Sequence, residues 1–155
     1  MKHLIRLFIA THIFLYKFTA GKIGAHFGGM DVLLLETVGN KTGRKRTTPL
    51  AYFKQKENWI ITASNAGSAH HPAWYYNLIH QPTVQIQVKN EHYTVTAEQV
   101  DMAEKDKLWA QLIEKYPNFQ SYQQKTTREI PMFILSKCVA RTAESNDSNY
   151  QATAT

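Results

Sequence analysis

The sequence predicts an antiparallel α+β fold, either a barrel or an open sheet, with helices inserted between its strands. Apolar runs of strand length follow one another across short polar turns, which is the pattern of β-hairpins. The few helical segments do not alternate regularly with these strands, so the pattern does not indicate a doubly wound parallel sheet. At 155 residues, 43% of them hydrophobic and 19% charged, the chain has the size and composition of one globular domain.

The N-terminal segment, residues 1–19, is typical of an amphipathic helix. Its apolar stretch is interrupted by Arg6, His12 and Lys17, and it is too short and too broken to span a bilayer. Packing against the domain is the preferred interpretation, contact with a membrane surface is the alternative, and a cleaved signal peptide ranks below both. Four glycines between residues 21 and 29 then end the helix and lead into the folded domain, residues 20–138.

Three strands follow in the first half of this domain. Residues Val32–Val38 form a continuous apolar run of strand length, and the basic turn Gly39–Arg44 separates it from a second strand, Thr47–Phe53. A polar turn then leads into the third strand, Trp59–Ala63. The turn between the first two strands is rich in glycine and asparagine, so a hairpin is expected there.

The second half of the domain combines short helices with further strands. After the polar loop Ser64–His71, Pro72 is expected at the first position of a helix, with His71 capping it and His70 in solvent. A last apolar strand precedes a polar tail, residues 139–155, that is expected to be disordered. The predicted elements are the helices Ala73–His80, Asp101–Tyr116 and Phe119–Lys125 and the strands Thr83–Val88, His92–Val100 and Ile130–Leu135.

The positive charge of the chain is concentrated in its first third. Residues 1–54 hold nine basic and two acidic side chains, whereas residues 55–155 hold nine basic and ten acidic ones. Such clustering favours a polyanionic ligand, an anionic membrane surface or nucleic acid, and a solvated basic turn is the structural alternative. Nucleic acid is the weakest of these, because no aromatic side chains are interleaved with the basic ones. The single cysteine, Cys138, excludes an intramolecular disulfide and favours a reducing, cytoplasmic compartment.

Two segments have the chemistry of a binding site. In the turn around Lys41, two glycines leave backbone N–H groups free to point outward, while Lys and Arg side chains offer charge to a phosphate or carboxylate. In the loop that begins at Ser64, small side chains let a flat ring approach the backbone. A plain hairpin turn and an ordinary connecting loop are the structural alternatives.

Aromatic side chains offer walls for such a site. Trp74 and its neighbours on the predicted helix are interpreted as core first and as a pocket wall second. The stripe formed by Tyr116, Phe119 and Tyr122 is either core or an exposed aromatic lid. The sequence contains no carboxylate pair, catalytic triad or metal-ligand cluster, so no metal site is predicted. This combination indicates a protein that binds a reactive cofactor and leaves the chemistry to it.

At these residues the chain resembles the deazaflavin-dependent nitroreductases, a family of split β-barrel flavin-type oxidoreductases. The resemblance runs in order and spacing from about residue 20 to residue 136. It is carried by Val32-Leu33-Leu34-Leu35, Gly39-x-Lys41-Thr42-Gly43-x-x-Arg46, Thr48-Pro49-Leu50, Ala63-Ser64-Asn65-x-Gly67, Pro72-x-Trp74-Tyr75-x-Asn77-Leu78, Tyr116-Pro117-x-Phe119-x-x-Tyr122-Gln123 and Arg128-Glu129-Ile130-Pro131. It implies a split β-barrel similar to the FMN-binding barrels, and binding of coenzyme F420, a deazaflavin with a phosphate and an oligoglutamate tail.

The resemblance also implies roles for individual residues. Those implied to line the groove for the anionic tail are Lys41, Thr42, Gly43 and Arg46. Those implied to contact the deazaflavin ring, largely through backbone, are Thr62, Ala63, Ser64 and Asn65. Pro49 and Trp74 would shape the ring pocket, and the aromatic stripe would form the wall on the substrate side. Tyr122 and Tyr116 are the candidates for returning a proton.

The reaction implied by the resemblance is hydride transfer from reduced coenzyme F420 to a quinone, with nitroaromatic compounds as adventitious acceptors. The protein would supply proximity, orientation and exclusion of water. Two alternatives stay open: an FMN-dependent oxidoreductase on the same barrel, and a protein that binds a ligand without turnover. Relatives in this family are often homodimers, and a quinone acceptor would suit a helix, residues 1–19, that touches the inner face of the plasma membrane.

Overall fold

The computed structural model describes residues 2–138, so the tail expected to be disordered, residues 139–155, lies outside the described residues. The helices are α1 (Lys2–Phe18), α2 (Ala73–His80), α3 (Met102–Lys115) and α4 (Asn118–Gln124), and a short 3₁₀ turn covers Asn65–Gly67. The strands are β1 (His26–Phe27), β2 (Met30–Val38), β3 (Lys45–Gln55), β4 (Asn58–Thr62), β5 (Thr83–Val88), β6 (Glu91–Gln99) and β7 (Met132–Lys137).

Six of the described strands, β2 to β7, close into one antiparallel barrel. Neighbouring strands pair in the order β2–β3–β4–β7–β6–β5, and β5 pairs again with β2 to complete the circle. Leu34 shows the closure directly, since it lies opposite Pro49 of β3 on one side and opposite Gln87 of β5 on the other. The predicted antiparallel α+β fold is therefore confirmed, in its barrel form.

One edge of strand β3 is paired along only part of its length. Its residues Lys45–Ala51 pair with β2, but β4 pairs only with the second part of β3, residues Tyr52–Gln55. Pro49 lies in the part whose other edge has no partner strand among residues 2–138, and a residue without an N–H group is tolerated there. This open edge gives the barrel the split form that the resemblance implied.

Strand β2 is buried on both faces, which explains its unbroken apolar sequence. Successive side chains of a strand point to opposite faces. Leu33 and Leu35 belong to the main apolar core of the barrel, whereas Leu34 packs with Tyr16 of α1 on the outer face. A third cluster, under α3 and α4, is built around Leu108.

Helix α1 is fixed to the barrel through its C-terminal half. The side chain of Tyr16 is completely buried, and its hydroxyl donates a hydrogen bond to the Val32 carbonyl at 2.9 Å. The same hydroxyl accepts a hydrogen bond from the Lys89 N–H at 2.8 Å. Lys17 adds an ion pair with Glu36 at 2.7 Å. Tyr16 is therefore the buried anchor of this helix, and the partly buried Ile13 packs beside it.

The remaining apolar side chains of α1 are largely exposed. Leu4, Phe14 and Phe18 keep 71%, 64% and 79% of their surface accessible, and Leu7 and Phe8 are also exposed. Among residues 2–138, no helix combines the length and the hydropathy needed to cross a bilayer. The helix thus presents an apolar face that the described part of the chain does not cover.

We predict that Tyr16→Phe lowers the free energy of unfolding by about 1–3 kcal/mol, because the Val32 carbonyl and the Lys89 N–H lose a buried partner. Urea denaturation followed by circular dichroism measures the change. Phe14→Leu, on the exposed face of the same helix, is the control and should change stability by less than about 0.5 kcal/mol. An equal loss in the two variants would contradict the anchoring role of the Tyr16 hydroxyl.

Candidate functional site

A cleft of about 810 Å³ lies between the basic turn, the open half of β3 and helix α2. The open half of β3 is the part that pairs with β2 only, residues Lys45–Ala51. Its volume falls within the range of small-molecule and cofactor sites. Trp74 is a buried part of its wall, and Lys41 and Arg46 are exposed at it. The residues that line the cleft are Thr37, Gly39, Asn40, Lys41, Thr42, Arg46, Thr47, Thr48, His71, Ala73, Trp74, Tyr76 and Asn77.

The basic turn uses its backbone N–H groups for its own closure. The Gly39 N–H donates to the Arg44 carbonyl at 2.8 Å, and the Thr42 and Gly43 N–H groups donate to the Gly39 carbonyl at 3.1 and 2.8 Å. The expectation that the two glycines leave N–H groups pointing outward is therefore wrong, because the turn needs these groups as internal donors. The N–H groups of Gly39, Thr42 and Gly43 are therefore not free to bind an anion, and the exposed basic side chains are the main groups that could.

Four basic side chains of the turn and of the first residues of β3 provide positive charge that no acidic partner in the described chain compensates. Lys41, Arg44, Lys45 and Arg46 are all exposed. Within the described part of the chain, none of the four forms an ion pair. Because Lys41 and Arg46 also line the cleft, an anionic ligand in the cleft would meet both of them.

Asn77 joins helix α2 to the basic turn. This buried side chain accepts a hydrogen bond from the Asn40 N–H at 3.0 Å and donates one to the Thr37 hydroxyl at 3.0 Å. Both ends of its amide group are thus satisfied in the wall of the cleft. The two bonds fix the place where the turn leaves β2 relative to α2, and so they set the width of the cleft.

The loop after β4 is strained and tightly packed. Asn65, Ala66 and Gly67 have φ angles of 46°, 53° and 79°, and the first two residues lack the conformational freedom of glycine. A Cβ on Gly67 would lie 2.7 Å from the backbone oxygen of Tyr122 in α4. Helix α4 therefore packs directly against this loop, and only glycine fits at the contact.

Arg128 connects this loop to the cleft. Its Nη2 donates to the Ala63 and Ser64 carbonyls at 3.1 and 2.8 Å. Its Nη1 lies 3.1 Å from Nδ1 of His71, and His71 lines the cleft. Arg128 therefore forms a hydrogen-bonded link between His71, at the cleft, and the loop after β4.

The residues expected to contact a flat ring, Thr62–Asn65, are not among the lining residues of the cleft, and Arg128 links Ala63 and Ser64 to it through His71. Thr62, Ala63 and Ser64 are buried at the end of β4. Asn65 is exposed, and its side-chain amide donates to the His70 carbonyl at 2.9 Å. The backbone of this segment is engaged within the protein, because the Ala63 N–H donates to the Pro131 carbonyl and Arg128 donates to the Ala63 and Ser64 carbonyls.

His71 does not cap helix α2, contrary to the expectation from the sequence. Pro72 is the N-cap residue, not the first helical residue, and no side chain caps this end of the helix. The His71 imidazole instead stacks on Tyr75, with ring centres 4.2 Å apart and planes inclined by 21°. Burial, and after it the nearby charge of Arg128, lowers the pKa of His71 below its ordinary value.

The two tyrosines expected to return a proton lie outside the lining of the cleft. Tyr116 is buried, and its hydroxyl donates to the Tyr52 carbonyl at 3.0 Å and accepts from the Asp31 N–H at 3.1 Å. This geometry does not support a catalytic Tyr116, because the hydroxyl is fully engaged within the protein. Tyr122 is half-buried beside the loop after β4, and its hydroxyl lies 3.4 Å from the Asn118 amide nitrogen.

The sequence singled out part of this site and missed part of it. Gly43 and Pro49 belong to the turn and to the open half of β3, without lining the cleft. The hydrogen-bonding roles of His71 and Asn77 were missed, although a polar residue within the apolar stretch of α2 was an available signal for Asn77. Among residues 2–138, no cluster of His, Cys, Asp or Glu is suited to hold a metal ion. The predicted residues that line the cleft are Lys41, Thr42, Arg46 and Trp74.

Comparison with known proteins identifies one family. Residues 8–137 match the family model described as F420H(2)-dependent quinone reductase. An F420H(2)-dependent quinone reductase of Mycobacterium tuberculosis is 36% identical over 133 residues, which cover 83% of this chain and 89% of the relative. The match spans the basic turn, the cleft and the barrel together.

Two solved structures are similar in both sequence and fold. An F420-H2 dependent reductase, FDR-A, has a TM-score of 0.62 and 35% identity, covering 68% of this chain and 93% of its own. A protein described as a domain-swapped dimer has a TM-score of 0.66 and 31% identity, covering 87% of this chain and 98% of its own.

We predict that Asn77→Leu lowers the free energy of unfolding by about 1–3 kcal/mol, because the Asn40 N–H and the Thr37 hydroxyl lose a buried partner. The basic turn should also exchange its amide hydrogens faster, which mass spectrometry of a peptide covering it measures. Asn90→Ala, in the exposed turn between β5 and β6, is the control. Unchanged exchange in the basic turn of Asn77→Leu would show that this side chain does not hold the turn.

Proposed function

The chain belongs to the F420H(2)-dependent quinone reductase family, and from that membership we propose that its cleft binds reduced coenzyme F420 beside an electron acceptor. The protein is an F420H(2)-dependent oxidoreductase, and quinones are its acceptor class. Nitroaromatic compounds are proposed as second acceptors. We assign the residues that bind the cofactor from one observation: Lys41, Arg46 and the buried ring of Trp74 line the same cleft.

The residues of the cleft fit the chemistry of this cofactor. Coenzyme F420 carries a phosphate and an oligoglutamate tail, so its site needs positive charge. We assign this tail to Lys41 and Arg46, whose charged groups pair with phosphate and carboxylate oxygens, and to the hydroxyl of Thr42. Gly43 is assigned to the same turn, where the surface beside its Cα is open.

We assign the flat ring of the cofactor to the part of the cleft near Trp74. This side chain is an apolar wall of the cleft, and Pro49 lies on the open half of β3. The segment Thr62–Asn65 is linked to the cleft through Arg128. Its small side chains at Ala63 and Ser64 favour close approach of a ring to the backbone.

When bound, reduced coenzyme F420 supplies a hydride. The chain itself binds and orients the reactants: the basic turn holds the anionic tail, and the walls formed by α2 and β3 exclude water. We assign the return of a proton to the acceptor to the hydroxyl of Tyr122 or to solvent. Tyr116 is left out of this role, because its hydroxyl is bonded to two backbone groups.

We also propose that the apolar face of α1 rests on an anionic membrane surface, where a lipid-soluble quinone would be found. Leu7, Phe14 and Phe18 are exposed on this helix. The helix contains Arg6 and Lys17 but no acidic residue. An apolar face accompanied by basic residues is typical of a helix that lies in the membrane interface.

A homodimer is the second proposal for the same face. It is supported by the solved relative that is described as a domain-swapped dimer and that is similar over 87% of this chain. A second copy would bury the exposed apolar side chains of α1 without any lipid. Vesicle binding and oligomeric state distinguish the two proposals.

We predict that Lys41→Ala/Arg46→Ala binds coenzyme F420 more weakly by about 1–3 kcal/mol in total, because the tail loses two charged partners. A deazaflavin without the phosphate and glutamate tail should bind this variant nearly as well as it binds the wild type. Fluorescence titration of each deazaflavin measures both affinities. The matched control is Lys56→Ala/Lys107→Ala, which removes two exposed cations that do not line the cleft.

Other outcomes of this titration would overturn parts of the proposal. Equal losses for the two ligands would show that the basic turn acts on folding and not on the tail. If the wild type binds FMN and does not bind coenzyme F420, the proposed cofactor is wrong and FMN takes its place. Tight binding of coenzyme F420 with no oxidation by a menadione-like quinone would indicate a binding protein without turnover.

We predict that Phe14→Glu lowers sedimentation of the protein with vesicles containing anionic lipid about fivefold, because a charge replaces an apolar contact at the interface. Turnover with a water-soluble quinone should stay close to the wild-type value. Gln111→Glu adds the same charge at an exposed position of α3, outside the apolar face of α1, and is the matched control. If vesicle binding is unchanged and light scattering shows a dimer that becomes a monomer, the face belongs to a second copy.

A further inference from the structure

His71 lies where the cleft meets the loop after β4, and its ring is held in one protonation form. Nη1 of Arg128 lies 3.1 Å from Nδ1 of this histidine. A guanidinium group only donates hydrogen bonds, so Nδ1 is the acceptor and the proton of the ring is on Nε2. Stacking on Tyr75 at 4.2 Å fixes the plane of the ring. His71 is thus a neutral imidazole with an N–H donor on the edge opposite Arg128.

Arg128 is itself anchored, so it holds His71 in a defined place. Its Nη2 donates to the Ala63 and Ser64 carbonyls at 3.1 and 2.8 Å, and its Nε donates to the Ser68 carbonyl at 2.9 Å. Because burial and the charge of Arg128 lower the pKa of His71, the neutral form persists to a lower pH than in an exposed histidine. The loop after β4 therefore determines the orientation of a side chain in the cleft.

We propose that the Nε2–H group of His71 donates a hydrogen bond to a carbonyl oxygen of the deazaflavin ring, and that Arg128 is the positioning residue for this donor. The proposal rests on the proposed function, because it needs the cofactor in the cleft that His71 lines. A neutral donor suits an uncharged carbonyl oxygen, whereas Lys41 and Arg46 already offer charge for the tail. His71 is also linked through Arg128 to the loop assigned to the ring.

Fluorescence titration with coenzyme F420 and with the deazaflavin that lacks the tail tests this proposal. His71→Phe keeps a ring against Tyr75 but loses the donor, and we expect its Kd to rise about tenfold for both ligands. His71→Gln carries an amide N–H near the position of Nε2 and should bind both ligands within about threefold of the wild type. His70→Phe, at the exposed neighbouring histidine, is the matched control and should bind as the wild type does.

The expected pattern differs from that of the basic turn, whose double variant should lose affinity only for the ligand with a tail. A His71→Phe variant that binds both ligands as the wild type does would overturn the proposal. A loss for the tailed ligand alone would place His71 at the tail, and that result would overturn it as well. If the wild type binds neither deazaflavin, the proposed function fails instead.

A second measurement needs no ligand. Multiple-bond proton–nitrogen NMR spectra distinguish the two neutral forms of a histidine from its protonated form. We expect His71 of the ligand-free wild type to be neutral, with its proton on Nε2, near pH 7 (about the middle of the range in which histidine titrates). In Arg128→Gln this preference should weaken. A proton on Nδ1 of His71 in the wild type would overturn the proposal of a fixed donor.

Discussion

The barrel closes on strand β2, which pairs with β3 along one edge and with β5 along the other. Its side chains are buried on both faces, so the strand cannot slip without breaking core contacts on each side. The basic turn begins directly after Val38, the last residue of this strand, and Thr37 of the strand lines the cleft. The basic turn therefore starts from a strand that is paired on both edges and buried on both faces, so its first residues have a fixed position.

Two polar side chains carry this rigidity into the cleft. Asn77 bonds the backbone of the basic turn from α2, and Arg128 bonds the backbone of the loop after β4 while it holds His71. Both act on backbone groups just beyond the end of a strand, Asn40 after β2 and Ala63 and Ser64 after β4, so each one ties a flanking segment to the barrel. The proposed site thus separates two tasks: Lys41 and Arg46 supply charge, and the hydrogen-bonded side chains supply position.

Helix α1 stands apart from this organisation. Tyr16, the partly buried Ile13 and one ion pair hold it, and many of its apolar side chains stay exposed. A helix that served only to cover the barrel would turn those side chains inward, because burial of apolar surface is the main gain available to it. The exposed apolar face is consistent with binding to a membrane or to a second copy of the chain. Both proposals for α1 rest on the observation that its apolar side chains are exposed.

The sequence by itself determined the six strands of the barrel, which agree with the structure within about two residues, because the alternation of apolar runs and turns is a local property. The short strand β1 was not predicted. The resemblance to a known family implied that Lys41, Arg46 and Trp74 serve one cofactor, and the three residues line one cleft in the structure. Only the tertiary structure decided that Arg128 meets His71, 57 residues away, and that Asn77 meets Asn40, 37 residues away. The sequence could not predict that N–H groups of the basic turn bond within the turn, or that the Tyr116 hydroxyl bonds two backbone groups. A pattern of polarity shows which residues face the core, but the partner of each polar group depends on how the closed barrel brings distant segments together.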